Sequence, residues 1–483
     1  MYAAAHALPP WTSPRENIAA QPERTAPVSD DALKRSALII ATLSSFLTPF
    51  MASSINIALP AIGREFHMDA LLLSWVPTSY LLAAAMFLVP FGRLADIRGR
   101  KKVFTWGMWF FTLSSLLLAY SPTGTLFLAF RVLQGFGSAM IFGTGMAILT
   151  SVYPAAERGK VLGINVAAVY LGLSLGPTFG GILTQQIGWH SIFLVNVPIG
   201  LVVIYLVSVR LKGEWAEARN EAFDHKGSFF YSVALAGLMV GFSRLPGLIG
   251  IVCIITGMTG IVLFVLWEMK AKSPVLNMNL FFHNPAFAFS NLAALINYSA
   301  TFAVTFLMSL YLQYIKGFTP EHAGMILVSQ PAVMALFSPF AGRLSDTLEP
   351  RIVASIGMAF CAAGLFLFTF LKNETPLGFI ILGLVLLGFG FALFSSPNTN
   401  AVMSSIEKRF YGVGSATLAT MRLVGQMLSM GITMIIFALM LGSARITPAY
   451  YPVYLKSMKT GFIIFSCLCC VGIFASLARG KVR

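Results

Sequence analysis

Long apolar runs fix what this chain can become. In a bilayer core about 30 Å thick, roughly 20 apolar residues cross as one helix, and lipid offers backbone amides no partner outside a helix or a closed barrel. Read with a window of about 19 residues, the sequence holds fourteen such runs, at 37–59, 71–91, 103–120, 124–150, 160–183, 190–209, 227–243, 247–267, 286–314, 321–341, 352–371, 377–401, 411–441 and 459–478. The expected class is an all-α polytopic membrane protein. Composition agrees: 57% of the 483 residues are hydrophobic and 11% are charged, against roughly 25% charged in soluble domains.

An even number of spans leaves both ends on one side, and the positive-inside rule selects the cytoplasm. That choice puts Arg93, Arg98, Arg100, Lys101 and Lys102 inside and leaves Arg64, Arg244, Lys316, Lys372, Arg445, Lys456 and Lys459 outside. The net charge of +15 is then a cytoplasmic face against anionic lipid, and nucleic acid is not an expected partner. Residues 1–35, rich in Ala, Pro, Ser and charge, read as a disordered cytoplasmic tail without a signal-peptide core. Five cysteines within apolar runs imply no disulfide framework, and six scattered histidines give no metal-ligand spacing.

The segment Gly92-Arg93-Leu94-Ala95-Asp96 returns 250 residues later as Gly342-Arg343-Leu344-Ser345-Asp346. The chain thus divides into a six-helix bundle over 36–209, a two-helix insert with cytoplasmic linkers over 210–285, and a second six-helix bundle over 286–480. Two equivalent halves place a substrate path at their interface.

Several motifs carry a resemblance. Gly92-Arg93-Leu94-Ala95-Asp96-Ile97-Arg98-Gly99-Arg100-Lys101-Lys102 is similar to the signature loop of the major facilitator superfamily, G-x-L-a-D-r-x-G-r-k/r, and the chain resembles the fourteen-span drug:proton antiporter family within it. Physically, Gly92 and Gly99 permit a tight turn, Asp96 suits a neighbouring helix N-terminus, and the cations sit at the head groups. The resemblance makes this loop a cytoplasmic gate. Leu128 to Gly135 resembles the family's l-x-x-R-x-x-Q-G element, with Arg131 and Gln134 on one helix face. Such an arginine costs several kcal/mol unless it faces a bundle interior or water; snorkelling to the outer head groups is the alternative. Gly172, Gly176, Pro177, Gly180 and Gly181 look like the exporters' G-x-x-x-G-P-x-x-G-G element, a smooth packing face with a hinge at the proline. Asn56 to Pro60, and Ser273 to Phe281, resemble stretches of the fourteen-span group. In the second half, Asn398, Asn400, Arg422 and Gln426 put polar groups within spans, either lining the path or bonding helix to helix.

One departure matters. Where the antiporters often carry an acid in the first span, Met51 stands before Ser53 and Asn56, and no acid is expected deep in any span. Arg131 and Arg422 are the only charges expected there, which favours neutral, zwitterionic or anionic amphiphiles over lipophilic cations. No G-x-x-x-x-G-K loop exists for ATP and no catalytic constellation stands out, so an enzyme is not expected. The resemblance implies a monomeric secondary active exporter for a small amphiphilic substrate, working among membrane lipids without a cofactor and coupled to an ion gradient, protons by family. A lipid flippase on the same fold and a non-transporting membrane sensor are the rivals.

Overall fold

The structure is a computed structural model that describes residues 31–480 apart from 220, 272, 277 and 408–410. Residues 1–30 of the expected tail lie outside the described residues. The first six spans are α1 (Asp31–Glu65), α2 (Ala70–Arg98), α3 (Arg100–Ala119), α4 (Gly124–Val152), α5 (Ala155–Gln186) and α6 (His190–Val209). The insert forms α7 (His225–Ser243) and α8 (Leu248–Glu268), followed by a short α9 (Asn279–His283). The next long run is built from α10 (Pro285–Thr301), α11 (Ala303–Leu310) and a π-helical turn over Tyr311–Ile315. Then come α12 (Pro320–Leu327) with α13 (Ser329–Thr347), α14 (Pro350–Phe368), α15 (Leu377–Ser404), α16 (Tyr411–Met440) and α17 (Tyr451–Ala478). No strand occurs among the described residues.

Among the described residues, thirteen segments are long and apolar enough to cross a membrane. The insert's α7 falls outside that set, because Lys226, Tyr231 and several serines dilute its apolar run. It still lies against α8 and α2 as a full-length helix, with the Tyr231 hydroxyl donating to the Ala85 carbonyl at 3.0 Å. Several helices overrun the expected spans, among them α1, which extends six residues beyond 37–59 at each end, and α17, which starts eight residues before the expected Lys459. Side-chain caps explain several starts: Asp69, Thr123, Asp224, Asn284 and Thr319 each accept the amide three residues on. Leu248, Leu336 and Phe474 are each more than 70% exposed, which is costly in water and natural for side chains facing lipid tails.

The glycines of α5 set the packing that matters most for function. Gly172, Gly176 and Gly180 lie so close to α1 that a Cβ would strike Phe46 O, Ser53 Oγ and Ser54 Cβ. Ser53 and Ser54 exploit the approach by donating to the carbonyls of Gly172 (3.3 Å) and Gly176 (2.9 Å). Gly181 faces the other way, onto the second bundle, where a Cβ would lie 2.5 Å from Pro320 O, and Gly324 of α12 lies on the Pro177 carbonyl. The α5 helix runs through Pro177 without interruption.

Contacts between the bundles gather at the face opposite the chain termini. There the Ser309 hydroxyl donates to Asn56 O (2.6 Å), Gln313 Nε2 to Ile57 O (3.0 Å) and Ala70 N to Ala444 O (3.2 Å). At the terminal face, Gly159 and Gly163 of α5 and Gly412 of α16 have open space where a Cβ would stand.

Candidate functional site

Arg131 is 1% exposed and answered inside its own bundle. Its Nε donates to the Val76 carbonyl at 3.0 Å, Nη1 donates to Gln134 Oε1, and the guanidinium lies 4.6 Å from the centroid of the Tyr80 ring. Gln134 Nε2 in turn donates to Ser115 Oγ at 2.9 Å, and the Tyr80 hydroxyl is bonded to Ser138 Oγ at 2.6 Å. Three helix-borne groups thus answer one buried cation directly, and snorkelling plays no part. The spacing of Arg131 and Gln134 was visible in sequence; Tyr80, Ser115 and Val76 O carried no signal that distinguished them.

Arg422 has a different setting. It lies on α16, partly exposed, with its guanidinium 5.1 Å from the ring centroid of Tyr298 on α10. The approach is close because Gly425 packs against Tyr298, where a Cβ would lie 2.8 Å from Tyr298 Cβ. Its Nε has no hydrogen-bond partner, and no ion pair among the described residues involves it. Tyr170 of α5 is near enough to Tyr298 for electrostatic interaction, so both bundles contribute to this place. Arg422, Tyr298 and Tyr170 lie about 16–23 Å along their helices from the terminal face. Gln426 follows one turn on, also partly exposed. Of the polar residues near α1, Asn56 is buried and donates Nδ2 to Ala52 O (3.3 Å). Met51, standing where the family often has an acid, is fully buried, and its sulfur accepts from Asn196 Nδ2 at 3.0 Å. Among the described residues every Asp and Glu lies at or beyond a helix end.

The loop after α2 is held by the linker that leads to the insert. Gly99 has φ +112°, which favours glycine, and a Cβ there would strike the Glu214 carboxylate. Glu214 accepts the first-turn amides of α3, Lys101 N at 2.9 Å and Lys102 N at 3.2 Å. The acid at this helix N-terminus is therefore Glu214 and not Asp96, which corrects the sequence expectation. Asp96 accepts Arg100 Nε at 2.9 Å instead, four residues away on the same turn. Arg100 Nη1 also reaches Ser151 Oγ (2.7 Å) on α4 and Glu217 Oε1 (2.9 Å), while Arg93 pairs with Glu221. Two backbone bonds, Arg100 N to Trp215 O (2.8 Å) and Ala218 N to Asp96 O (2.9 Å), complete the clasp. Lys101 Nζ donates to Leu211 O, Arg98 is exposed, and Gly92 has open space where a Cβ would be.

The model of the Major Facilitator Superfamily matches residues 41–430. This chain belongs to that superfamily. Among curated relatives it is 28% identical to the riboflavin transporter RibZ of Clostridioides difficile over 91% of this chain and 96% of that protein. It is 30% identical to the multidrug resistance protein Stp of Mycobacterium tuberculosis, over 80% of this chain and 73% of the other. The tetracenomycin C resistance and export protein of Streptomyces glaucescens is 27% identical over 84% and 76%. The D-xylose–proton symporter superposes with a TM-score of 0.66 at 13% identity, covering 92% of this chain and 97% of that one, which shows the shared fold. The protein is a multi-pass membrane transporter, and its relatives fit the drug:proton antiporter resemblance.

Each bundle has a side-chain tie at its terminal face. In the first, Arg100 reaches Ser151 at the end of α4; in the second, Asn400 Nδ2 near the end of α15 donates to Ser345 Oγ on α13 at 3.1 Å. Asn398 lies in a buried polar knot with Arg479, which is 2% exposed. Arg479 donates Nη1 to Asn398 Oδ1 (3.0 Å) and to Ser290 Oγ (3.3 Å), Nε to Ser476 O (2.8 Å) and Nη2 to Ser476 Oγ. Asn398 Nδ2 donates to Ser290 O at 3.1 Å. Arg479, just past the end of α17, is thus buried like Arg131, although it lies outside the spans. Its place just past the last apolar run read as ordinary cytoplasmic charge.

Proposed function

We propose that this transporter is a secondary active exporter that carries a small amphiphile out of the cell by rocking 36–209 against 286–480. The observation that carries the reading is the distribution of contacts between the bundles: they gather at one face, while a partly exposed arginine with Tyr298 and Tyr170 lies between the bundles at mid-depth. Two bundles joined at one face, with open positions along α5 and α16 at the other, fit one half of an alternating-access cycle. Export, rather than uptake, is supported by the relatives named for multidrug resistance and tetracenomycin C export; the riboflavin transporter extends the chemistry to aromatic metabolites.

The cationic terminal face lies in the cytoplasm of a cell membrane in this reading, with both termini inside. The driving force is an ion gradient, protons by family resemblance. Glu65, which accepts Trp189 Nε1 (2.6 Å) and has His190 Nε2 at 3.6 Å, is the best-placed acid for coupling at the opposite face. No cofactor, metal or nucleic acid has a role, the monomer is the working unit, and no chemical step is catalysed.

Flux in proteoliposomes with imposed pH or sodium gradients and a panel of aromatic amphiphiles tests this reading. Uphill, gradient-dependent movement of at least one compound supports it; a fluorescent-lipid scrambling signal without solute flux would replace it with a flippase. In a background lacking the five cysteines, Glu374→Cys labels from outside intact cells while Lys160→Cys and Ser404→Cys do not. Labelling of Lys160→Cys would invert the sidedness.

A further inference from the structure

The two arginines expected in the path differ in what they lack. Arg131 has a carbonyl, an amide oxygen and an aromatic face around it and is 1% exposed, out of a ligand's reach. Arg422 meets Tyr298 through its ring face and a side-chain hydrogen bond, and keeps a buried Nε without a partner and part of its surface open. A guanidinium in low dielectric with unused donors is an unfinished ion site, and its fork matches a carboxylate in two parallel bonds. The surroundings are aromatic. Tyr298 lies beneath the guanidinium, Phe391 meets the Tyr298 ring edge-on at 5.2 Å between centroids, and Tyr170 approaches from the other bundle, partly exposed.

We infer that Arg422, Tyr298 and Tyr170 form a mid-membrane site for a small planar aromatic acid. The acid group occupies the free donors of Arg422, and the ring lies against Tyr170 and the guanidinium plane. No carboxylate among the described residues sits at mid-span to balance a cation there. The inference rests on the reading of the space between the bundles as the transport path, and narrows the substrate to one charge class. Tyr170 and Tyr298 belong to different bundles, so a ring held between them is in contact with both halves that move.

Binding, not flux, is the test, so that failure of the export reading leaves the outcome interpretable. The purified full chain is titrated with 2-naphthoate and with 2-naphthamide, a planar pair that differs in charge at one group. Wild type should bind the acid at least tenfold more tightly than the amide. Arg422→Gln should erase that preference while amide binding persists, Arg422→Lys should keep part of it, and Tyr170→Ala should weaken both ligands together; a thermal melt of each variant confirms folding. Equal affinities in wild type, an unchanged preference in Arg422→Gln, or no binding of either compound at millimolar concentration each overturns the inference. If flux experiments show no uphill transport while the preference holds, the anion site stands and the exporter reading falls.

Discussion

Glu217 Oε1 lies 2.9 Å from Arg100 Nη1, so the segment leading into the two-helix insert grips the arginine that closes the turn between α2 and α3. Glu217 and Glu221 are well exposed, at 72% and 48% of their side chains, and each pair is worth less than about 1 kcal/mol. Glu214 contributes differently, because it satisfies two helix-terminal amides at once.

The clasp should therefore depend on Glu214 more than on either ion pair. Glu214→Ala should speed hydrogen exchange at Lys101 and Lys102 several-fold and cost about 1 kcal/mol of local stability, the usual value of a lost helix cap. Glu217→Gln should leave exchange there nearly unchanged. Equal protection in wild type and Glu214→Ala would show that the backbone bonds of Trp215 and Ala218 hold the linker alone.

Asp96 pairs with Arg100 through both Nε and Nη2 within the turn, and it is partly exposed. Asp96→Asn keeps the volume and removes the charge. Transport should fall by about fivefold, the equivalent of roughly 1 kcal/mol in a conformational equilibrium, while expression and melting temperature stay near normal. Wild-type flux in that variant would remove the loop from the gating cycle.

Periodicity and hydropathy gave the architecture because lipid leaves a helix few alternatives. Fourteen runs became fourteen membrane-length helical stretches, and even the weakest, α7, is present as a helix against α2. Side-chain roles were harder to read. Arg131 and Gln134 share a helix and a spacing, so their bond was foreseeable. The partners of Arg479 come from α10, α15 and α17, and Glu214 reaches Gly99 from a segment 115 residues on with no periodicity. Long-range placement of that kind is decided by tertiary packing, for which a single sequence has no local signal.

Arg479 carries a pH expectation with a definite sign. Burial lowers its pKa from the usual arginine value to about 10, only partly offset by Glu349. The unfolded chain then holds this proton more tightly than the folded one, so the group costs stability wherever the unfolded arginine is charged, and that cost is relieved only as pH rises through about 10. Arg479→Gln strips Asn398 Oδ1 of a donor and should melt earlier, by the equivalent of about 1–3 kcal/mol. Across pH 6–9 the wild-type and variant melting curves should run parallel, and above pH 10 wild type should gain on the variant. A difference that opens between pH 6 and 8 would assign the pH response to another group.

The closed face offers the most direct test of alternating access. Ala70 N donates to Ala444 O at 3.2 Å, joining the start of α2 in the first bundle to the loop after α16 in the second. The same closure depends on the absence of side chains at Gly181 and Gly324, whose neighbours are backbone atoms of the opposing bundle. If the two faces open in turn, this contact must break once per cycle. Ala70→Cys with Ala444→Cys, in a chain free of other cysteines, should oxidise to a disulfide that lowers flux at least tenfold, and reductant should restore it. Gly181→Val should have the opposite bias, since its side chain has no room against Pro320 and Glu321, and should slow disulfide formation in the same pair. Undiminished flux with the disulfide fully formed would show that this face never opens during transport.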